Sequence, residues 1–211
     1  MRHPVDLSRI APGFEHEAMG SQRVFRTVMQ ALSHPGQLQD FKPLKPLTPA
    51  PHSPAALALL ALLDADCRLW LSPRLAACGL ADWLRFHTGC MPASRAGDAQ
   101  FCWVGLGDAL PELDTLELGS DADPHRAATL LIDVAGFAAG SDAACWSLRG
   151  PGIADAQALA VQGLPRGFGE FRARNHALFP RGVDMLLAAP DALVGLPRTT
   201  RVEPAALAAE V

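Results

Sequence analysis

The stretch at residues 129–134 constrains the fold most, because it reads Thr-Leu-Leu-Ile-Asp-Val, with apolar residues at consecutive positions. A strand that is apolar on both faces is typical of a sheet covered on both sides by other elements. Strand-like and helix-like segments alternate along much of the chain. The sequence therefore predicts an α/β fold in which a mixed sheet is flanked by helices.

Several segments carry the signals of helices. The first, at 15–32, is predicted from apolar residues at helical spacing: Phe25, Val28, Met29 and Leu32. A second, at 55–63, follows a Ser-Pro start and is apolar nearly all round, so we expect it to be deeply buried. The other predicted helices are 74–86, 108–116 and 169–178.

The remaining regular segments predict strands. They lie at 37–41, 67–72, 100–104, 129–134, 144–149, 183–187 and 193–196, while 155–161 fits either a strand or a helix. The last two strands are joined by the turn Ala-Pro-Asp-Ala and are expected to be adjacent. Some antiparallel pairing is expected there and between 129 and 149. The five prolines within 42–54 predict an extended connector.

Length and charge limit the classes of protein to consider. The chain has 211 residues, and we expect a single α/β domain over 1–211, with 1–13 loosely ordered. Its net charge of −4 leaves no basic excess for nucleic-acid binding. The longest apolar stretch is too short to span a bilayer, and the first residues lack the apolar core of a signal peptide, so we expect a cytoplasmic protein.

Cysteines, histidines and lysines argue against common cofactor chemistry. The five cysteines form no CxxC pair, and the histidines form no HxH or HxxxH motif, so no metal site is predicted. Cys67, Cys102 and Cys145 fall in predicted strands and are expected to pack as buried apolar residues. The two lysines, Lys42 and Lys45, lie in the proline-rich connector, so no lysine Schiff base and no cofactor are predicted.

Charged and hydroxyl side chains cluster around the last two predicted strands. They are Arg181, Asp184, Arg198, Thr199, Thr200 and Arg201. Such a set either binds an anion or partner, or ties the end of the chain down through salt bridges. Arg198 and Arg201 point to opposite sides if the segment is extended, so one would hold Asp184 or Glu203 while the other faces a cleft or partner.

A second group of candidates lies at the end of the helix predicted at 74–86. Arg85 and His87 either converge on an anionic ligand or offset the negative end of the helix dipole. Thr88 and Gly89 then end the helix. Arg149 joins Arg85, His87 and the C-terminal arginines as a candidate contact for an anion or a partner. No convergent set of catalytic residues is recognisable, and none is predicted.

Six short motifs in one order give the chain a resemblance to a known family. They are Phe25-Arg26 through Gly36, Leu60 through Ser72, Leu84-Arg85-Phe86-His87-Thr88-Gly89, Leu148-Arg149-Gly150-Pro151-Gly152-Ile153, Phe179-Pro180-Arg181-Gly182-Val183-Asp184, and Leu196-Pro197-Arg198-Thr199-Thr200. Together they cover about residues 14–203. The chain resembles the PhnH family, whose members are subunits of the bacterial carbon–phosphorus lyase system for phosphonate breakdown.

The resemblance implies both a fold and a role. Family members resemble the large domain of fold-type I pyridoxal-phosphate-dependent transferases but lack the cofactor site. They work with subunits that include PhnG, PhnI and PhnJ, in a pathway where a phosphonate displaces adenine from ATP to give ribose 1-phosphonate 5-triphosphate. We therefore expect an accessory subunit that is not catalytic alone and forms a homodimer when isolated. The alternative is an enzyme or binding subunit that itself holds a nucleotide or phosphonate in an arginine-rich cleft.

Overall fold

The computed structural model describes residues 12–41, 54–138, 140 and 143–205. The strands are β1 (Gln39–Asp40), β2 (Arg68–Leu71), β3 (Met91–Pro92), β4 (Phe101–Val104), β5 (Thr129–Asp133), β6 (Ala143–Arg149), β7 (Gln157–Gln162), β8 (Asp184–Ala188), β9 (Ala192–Leu196) and β10 (Arg201–Pro204). The α-helices are α1 (Glu17–Ser33), α2 (Pro54–Leu62), α3 (Pro73–Ala76), α4 (Leu80–Thr88) and α5 (Phe168–Ala177).

Seven strands form the main sheet, in the order β1–β9–β8–β5–β4–β2–β3. The five strands from β8 to β3 in this order run parallel to one another. β9 runs antiparallel to both β8 and β1. The prediction of a mixed sheet flanked by helices is confirmed, and so is the prediction that the last two apolar runs, now β8 and β9, are adjacent.

The central strands of this sheet are buried on both faces, as the residues at 129–134 predict. Leu131 of β5 lies opposite Leu186 of β8, and both belong to the core on one face. Leu130 and Ile132 belong to the core on the other face. Burying one such side chain contributes about 1.5–3 kcal/mol, so the alternation fixes the register of β5 within the sheet.

Helices α1, α2 and α4 contribute to the core on the first face. α2 is buried along most of its length, which confirms the prediction from its apolar surface. Of the four residues that predicted α1, Val28 is buried and Leu32 half-buried, whereas Phe25 and Met29 are exposed. The inner face of α1 consists of Gly20, Val24, Val28 and Ala31, which are small or of moderate size and let the helix lie close to the sheet.

The opposite face of the main sheet packs against α5 and a three-stranded sheet in the order β10–β6–β7. Leu148 of β6, Val161 of β7 and Phe171 of α5 are buried in this second core. Antiparallel pairing was expected between 129 and 149, but β6 does not join β5. Both edges of β5 are already taken by β4 and β8, so β6 pairs with β7 and β10.

Several local predictions need correction. The helix predicted at 74–86 is interrupted at Gly79, whose φ of 74° is left-handed, and becomes α3 and α4. The helix predicted at 108–116 is a loop containing a 3₁₀ turn at Leu113–Thr115, because Pro111 has no N–H to donate. The ambiguous segment 155–161 is a strand over most of its length, since β7 runs from Gln157 to Gln162. The short strands β3 and β10 were not predicted.

Two of the three cysteines expected to be buried are not. Cys102 is fully buried, Cys67 is half-buried and Cys145 is exposed. Cys145 alternates along β6 with Leu148 and therefore lies on the outer face of the small sheet.

The loosely ordered start predicted at 1–13 and the connector predicted at 42–54 fall almost wholly outside the described residues. None of the helices in the described ranges combines the length and apolarity needed to cross a bilayer.

Candidate functional site

The charged segment that follows β9 is held by an ion pair to the first residue of β8. The guanidinium of Arg198 donates to both carboxylate oxygens of Asp184, from Nε to Oδ1 at 3.1 Å and from Nη2 to Oδ2 at 2.7 Å. The backbone N–H of Arg198 also donates to Asp184 Oδ1 at 2.8 Å, and Nη1 donates to the Pro124 carbonyl at 2.7 Å. The two side chains are only 12% and 29% exposed. This bidentate pair fixes the path of the chain as it leaves β9.

A second arginine, Arg172 of α5, lies beneath the same segment and is 1% exposed. Its guanidinium donates to three backbone carbonyls, those of Leu196 at 3.3 Å, Pro197 at 3.0 Å and Thr200 at 2.7 Å. Burial lowers the pKa of Arg172 to about 10, and the nearby Asp184 carboxylate acts against that shift. The group therefore stays charged at neutral pH and holds the backbone after β9 against α5.

No role was predicted for Arg172, although the sequence contains a signal for it. The buried residues of α5 are Phe168, Phe171, Arg172 and Asn175, at spacings of three, one and three. This is the spacing of one helix face, so an arginine between the two phenylalanines and the asparagine lies on the inner side. A buried arginine on such a face requires several acceptors.

Two further side chains of α5 bind the neighbouring backbone. Asn175 donates from Nδ2 to the Val183 carbonyl at 2.9 Å and accepts from the Val183 N–H at 2.8 Å. His176 lies with Nδ1 3.1 Å from the Arg198 carbonyl oxygen. Because that oxygen only accepts, Nδ1 is the protonated nitrogen in this contact. α5 thus holds the chain before β8 and after β9.

The two threonines of the C-terminal set lie in a tight turn. The N–H of Thr200 donates to the Pro197 carbonyl at 2.9 Å, and its side chain is fully buried. Within the described residues, Thr200 Oγ1 has no hydrogen-bond partner. A Cβ on Gly150, whose φ is 139°, would lie 2.9 Å from the Thr199 carbonyl oxygen. The turn therefore packs closely on the loop after β6.

The other charged candidates near this segment are more exposed. Arg181 pairs with Asp121 at 3.3 Å, with side chains 47% and 79% exposed. Arg201 lies 3.9 Å from Glu203, which is a loose contact between two exposed groups. One of Arg198 and Arg201 was expected to hold Asp184 or Glu203, and the other to face a cleft or partner. Arg198 holds Asp184, and Arg201 is the exposed one of the two.

The structure places Arg149 beside Arg201, because the two residues are register partners in β6 and β10. Arg149 also donates to the Asp155 carbonyl at 3.1 Å. These two arginines form a positive pair on the small sheet, next to the Arg198 segment. Like charges directly opposite each other repel, so a bound anion would be favourable there.

Arg85 and His87 lie apart from this group. They occupy the last turn of α4, which Gly89 ends with a left-handed φ of 78°. The ring of His87 makes edge contacts with Trp83 and Phe86, at centroid distances of 5.4 and 5.0 Å. α4 packs in the core on one face of the main sheet and α5 in the core on the other. The two predicted groups are therefore not one site.

The fold and the site define an α/β protein whose C-terminal charged segment is held to β8 by an ion pair and to α5 by hydrogen bonds. Residues 12–203 match the model of the family described as bacterial phosphonate metabolism protein (PhnH). The chain belongs to this family.

Two curated relatives match over most of their length. The chain is 35% identical to "Alpha-D-ribose 1-methylphosphonate 5-triphosphate synthase subunit PhnH" of Rhizobium meliloti (strain 1021), covering 90% of this chain and 94% of the relative. It is 34% identical to "Putative C-P lyase subunit protein HtxG" of Stutzerimonas stutzeri, covering 88% of this chain and 87% of the relative.

Proposed function

We propose that this protein is an accessory subunit of the machinery that activates phosphonates with ATP and breaks the carbon–phosphorus bond. The observation that carries the proposal is the match to the PhnH family over residues 12–203, together with the two relatives named as subunits of such systems. In this role the chain is required for the synthesis of ribose 1-phosphonate 5-triphosphate but does not perform it alone.

The geometry of the C-terminal segment supports a mainly architectural role for its buried arginines. The guanidinium of Arg198 uses its donors on Asp184 and Pro124, and that of Arg172 uses them on backbone carbonyls. A guanidinium committed to such acceptors has few donors left for a ligand. We assign the anion or partner contacts instead to the exposed members, Arg149, Arg181 and Arg201, and separately to Arg85 with His87.

We further propose the setting in which the subunit works. It acts as one α/β domain in the cytoplasm, without a cofactor or metal of its own, and its fold is related to that of the large domain of fold-type I pyridoxal-phosphate-dependent transferases. Its partners are PhnG, PhnI and PhnJ. Isolated, it forms a homodimer, and in the complex PhnJ takes the place of the second copy.

Co-purification tests this function. The chain is co-expressed with PhnG, PhnI and PhnJ from the same host, with an affinity tag on PhnI only. The proposal predicts that the untagged chain is retained with the other three and co-elutes with them in gel filtration. Its absence from a complex that the other three still form would contradict the proposal.

A further inference from the structure

The outer side of α1 and the edge strand β1 enclose a groove that none of the contacts above uses. Its volume is about 340 Å³. The residues that line it are Met19, Gln22, Arg23, Arg26, Thr27, Gln30, Gln39 and Asp40. Sites for small molecules have volumes of about 300–1,000 Å³, so this groove suits a ligand no larger than a small phosphonate or phosphate ester.

The two walls of the groove are connected through β9. A Cβ on Gly195 of β9 would lie 2.3 Å from the carbonyl oxygen of Ala31, so α1 lies directly on the sheet at this point. The turn after α1 is tied to the same residue, since the Gly36 N–H donates to the Gly195 carbonyl at 3.2 Å. β1 pairs with β9, so α1 and β1, the two walls of the groove, are both held against β9.

Two guanidiniums face this groove from one side. Arg23 and Arg26 are three residues apart on α1, so their side chains are neighbours on the helix surface. Neither side chain has an ion pair or hydrogen bond within the part of the chain that the structure describes. Like charges one turn apart repel each other, and a doubly charged anion between them removes that repulsion.

The opposite wall has a different charge. Asp40 of β1 supplies a carboxylate, and Gln39 beside it supplies an amide. A ligand lying across the groove meets two positive groups at one end and a negative group at the other. This pattern fits a small molecule with an oxyanion at one end and an ammonium or hydroxyl group at the other.

We propose that this groove binds a small phosphonate or phosphate ester, with its oxyanion on Arg23 and Arg26 and its ammonium or hydroxyl group on Asp40. The inference rests on the role in phosphonate metabolism proposed above and adds a binding site and a ligand class to it. Arg26 belongs to one of the sequence motifs that carry the family resemblance, and none of the contacts described above uses it.

Calorimetric titration of the isolated protein at low ionic strength tests the site. The probes are 2-aminoethylphosphonate, methylphosphonate and inorganic phosphate. We expect each of R23Q and R26Q to weaken the binding of 2-aminoethylphosphonate about tenfold, because each removes one charge-assisted contact. R166Q is the matched control, since Arg166 is also exposed but does not line the groove, and it should bind normally.

A fourth variant separates the two ends of the ligand. D40N should abolish any preference for 2-aminoethylphosphonate over methylphosphonate and leave the binding of inorganic phosphate unchanged. The proposal is overturned if the unmodified protein gives no binding heat with any probe, or if R23Q and R26Q bind as R166Q does. It is also overturned if R23Q and R26Q keep ligand binding but lose association with the other subunits, which would make the groove a partner surface. Failure of the titration leaves the co-purification result unaffected, so the two proposals fail separately.

Discussion

Replacing Arg198 by alanine tests whether the C-terminal segment is structural. The substitution removes both guanidinium contacts to Asp184 and the contact to the Pro124 carbonyl. The Asp184 carboxylate keeps only the backbone N–H of residue 198 as a donor from this segment. We therefore expect a less stable protein whose fold is otherwise unchanged.

The size of the loss follows from the exposure of the pair. Breaking a fully buried ion pair costs about 3–5 kcal/mol, and breaking an exposed one about 0–1 kcal/mol. Arg198 is 12% exposed and Asp184 29%, so water reaches the remaining carboxylate only in part. We expect a loss of about 2–3 kcal/mol in the free energy of unfolding, intermediate between those limits. For a chain of this size, this lowers the Tm by about 4–12 °C.

Urea unfolding followed by tryptophan fluorescence measures this loss, because Trp103 and Trp146 both pack in the cores. R181A is the matched control, since it also removes an arginine from an ion pair near β8, but that pair is exposed. R181A should cost at most about 1 kcal/mol. Equal midpoints for R198A and R181A would refute the reasoning from burial. A stable R198A protein in an inactive complex would instead assign Arg198 a functional contact.

Three further predictions concern buried positions. R172M should lower the free energy of unfolding by about 3 kcal/mol or more, because three carbonyls lose a charged donor. Burial lowers the pKa of folded Arg172 to about 10. In urea titrations, the difference in stability between R172M and the unmodified protein should therefore be constant up to about pH 9 and grow only above pH 10, where the folded form loses its proton first. G195A should lower the free energy of unfolding by about 2 kcal/mol or more, as measured by thermal melts, because its Cβ would lie 2.3 Å from a backbone oxygen. G136A, whose Cβ would have its nearest contact at 3.6 Å, should melt as the unmodified protein does. Burial raises the pKa of Cys102 to about 12. Iodoacetamide at pH 8 should therefore modify the exposed Cys145 but leave Cys102 intact until the chain unfolds, as measured by mass spectrometry. Modification of both cysteines at equal rates would contradict the buried position of β4.

The elements that were predicted correctly are those with a strong period or a continuous apolar run. β5, β8, β9 and α2 belong to this class, since burial on both faces leaves little choice of pattern. β10 was missed because Arg201, Glu203 and Pro204 are exposed and only Val202 packs inward. The break between α3 and α4 depends on one glycine conformation, which composition does not specify.

The candidate site was predictable only in part. Either Asp184 or Glu203 was expected to hold one of the two arginines Arg198 and Arg201, and Asp184 does hold Arg198. The place of Arg172 on the inner face of α5 was readable from the helix spacing, but its acceptors were not, because they are backbone carbonyls about 25 residues away and a carbonyl has no sequence signature. The groove between α1 and β1 is likewise a product of tertiary packing, set by the glycine of β9 that admits α1.

The most direct test of the proposed role is the release of adenine from ATP in the presence of a phosphonate. The complex of PhnG, PhnI and PhnJ is assayed with and without this chain, and the chain is assayed alone. The account predicts adenine release only when the chain and its partners are combined. Phosphonate-dependent release by the chain alone, or full activity of the partners without it, would contradict the claim that this protein is a required accessory subunit.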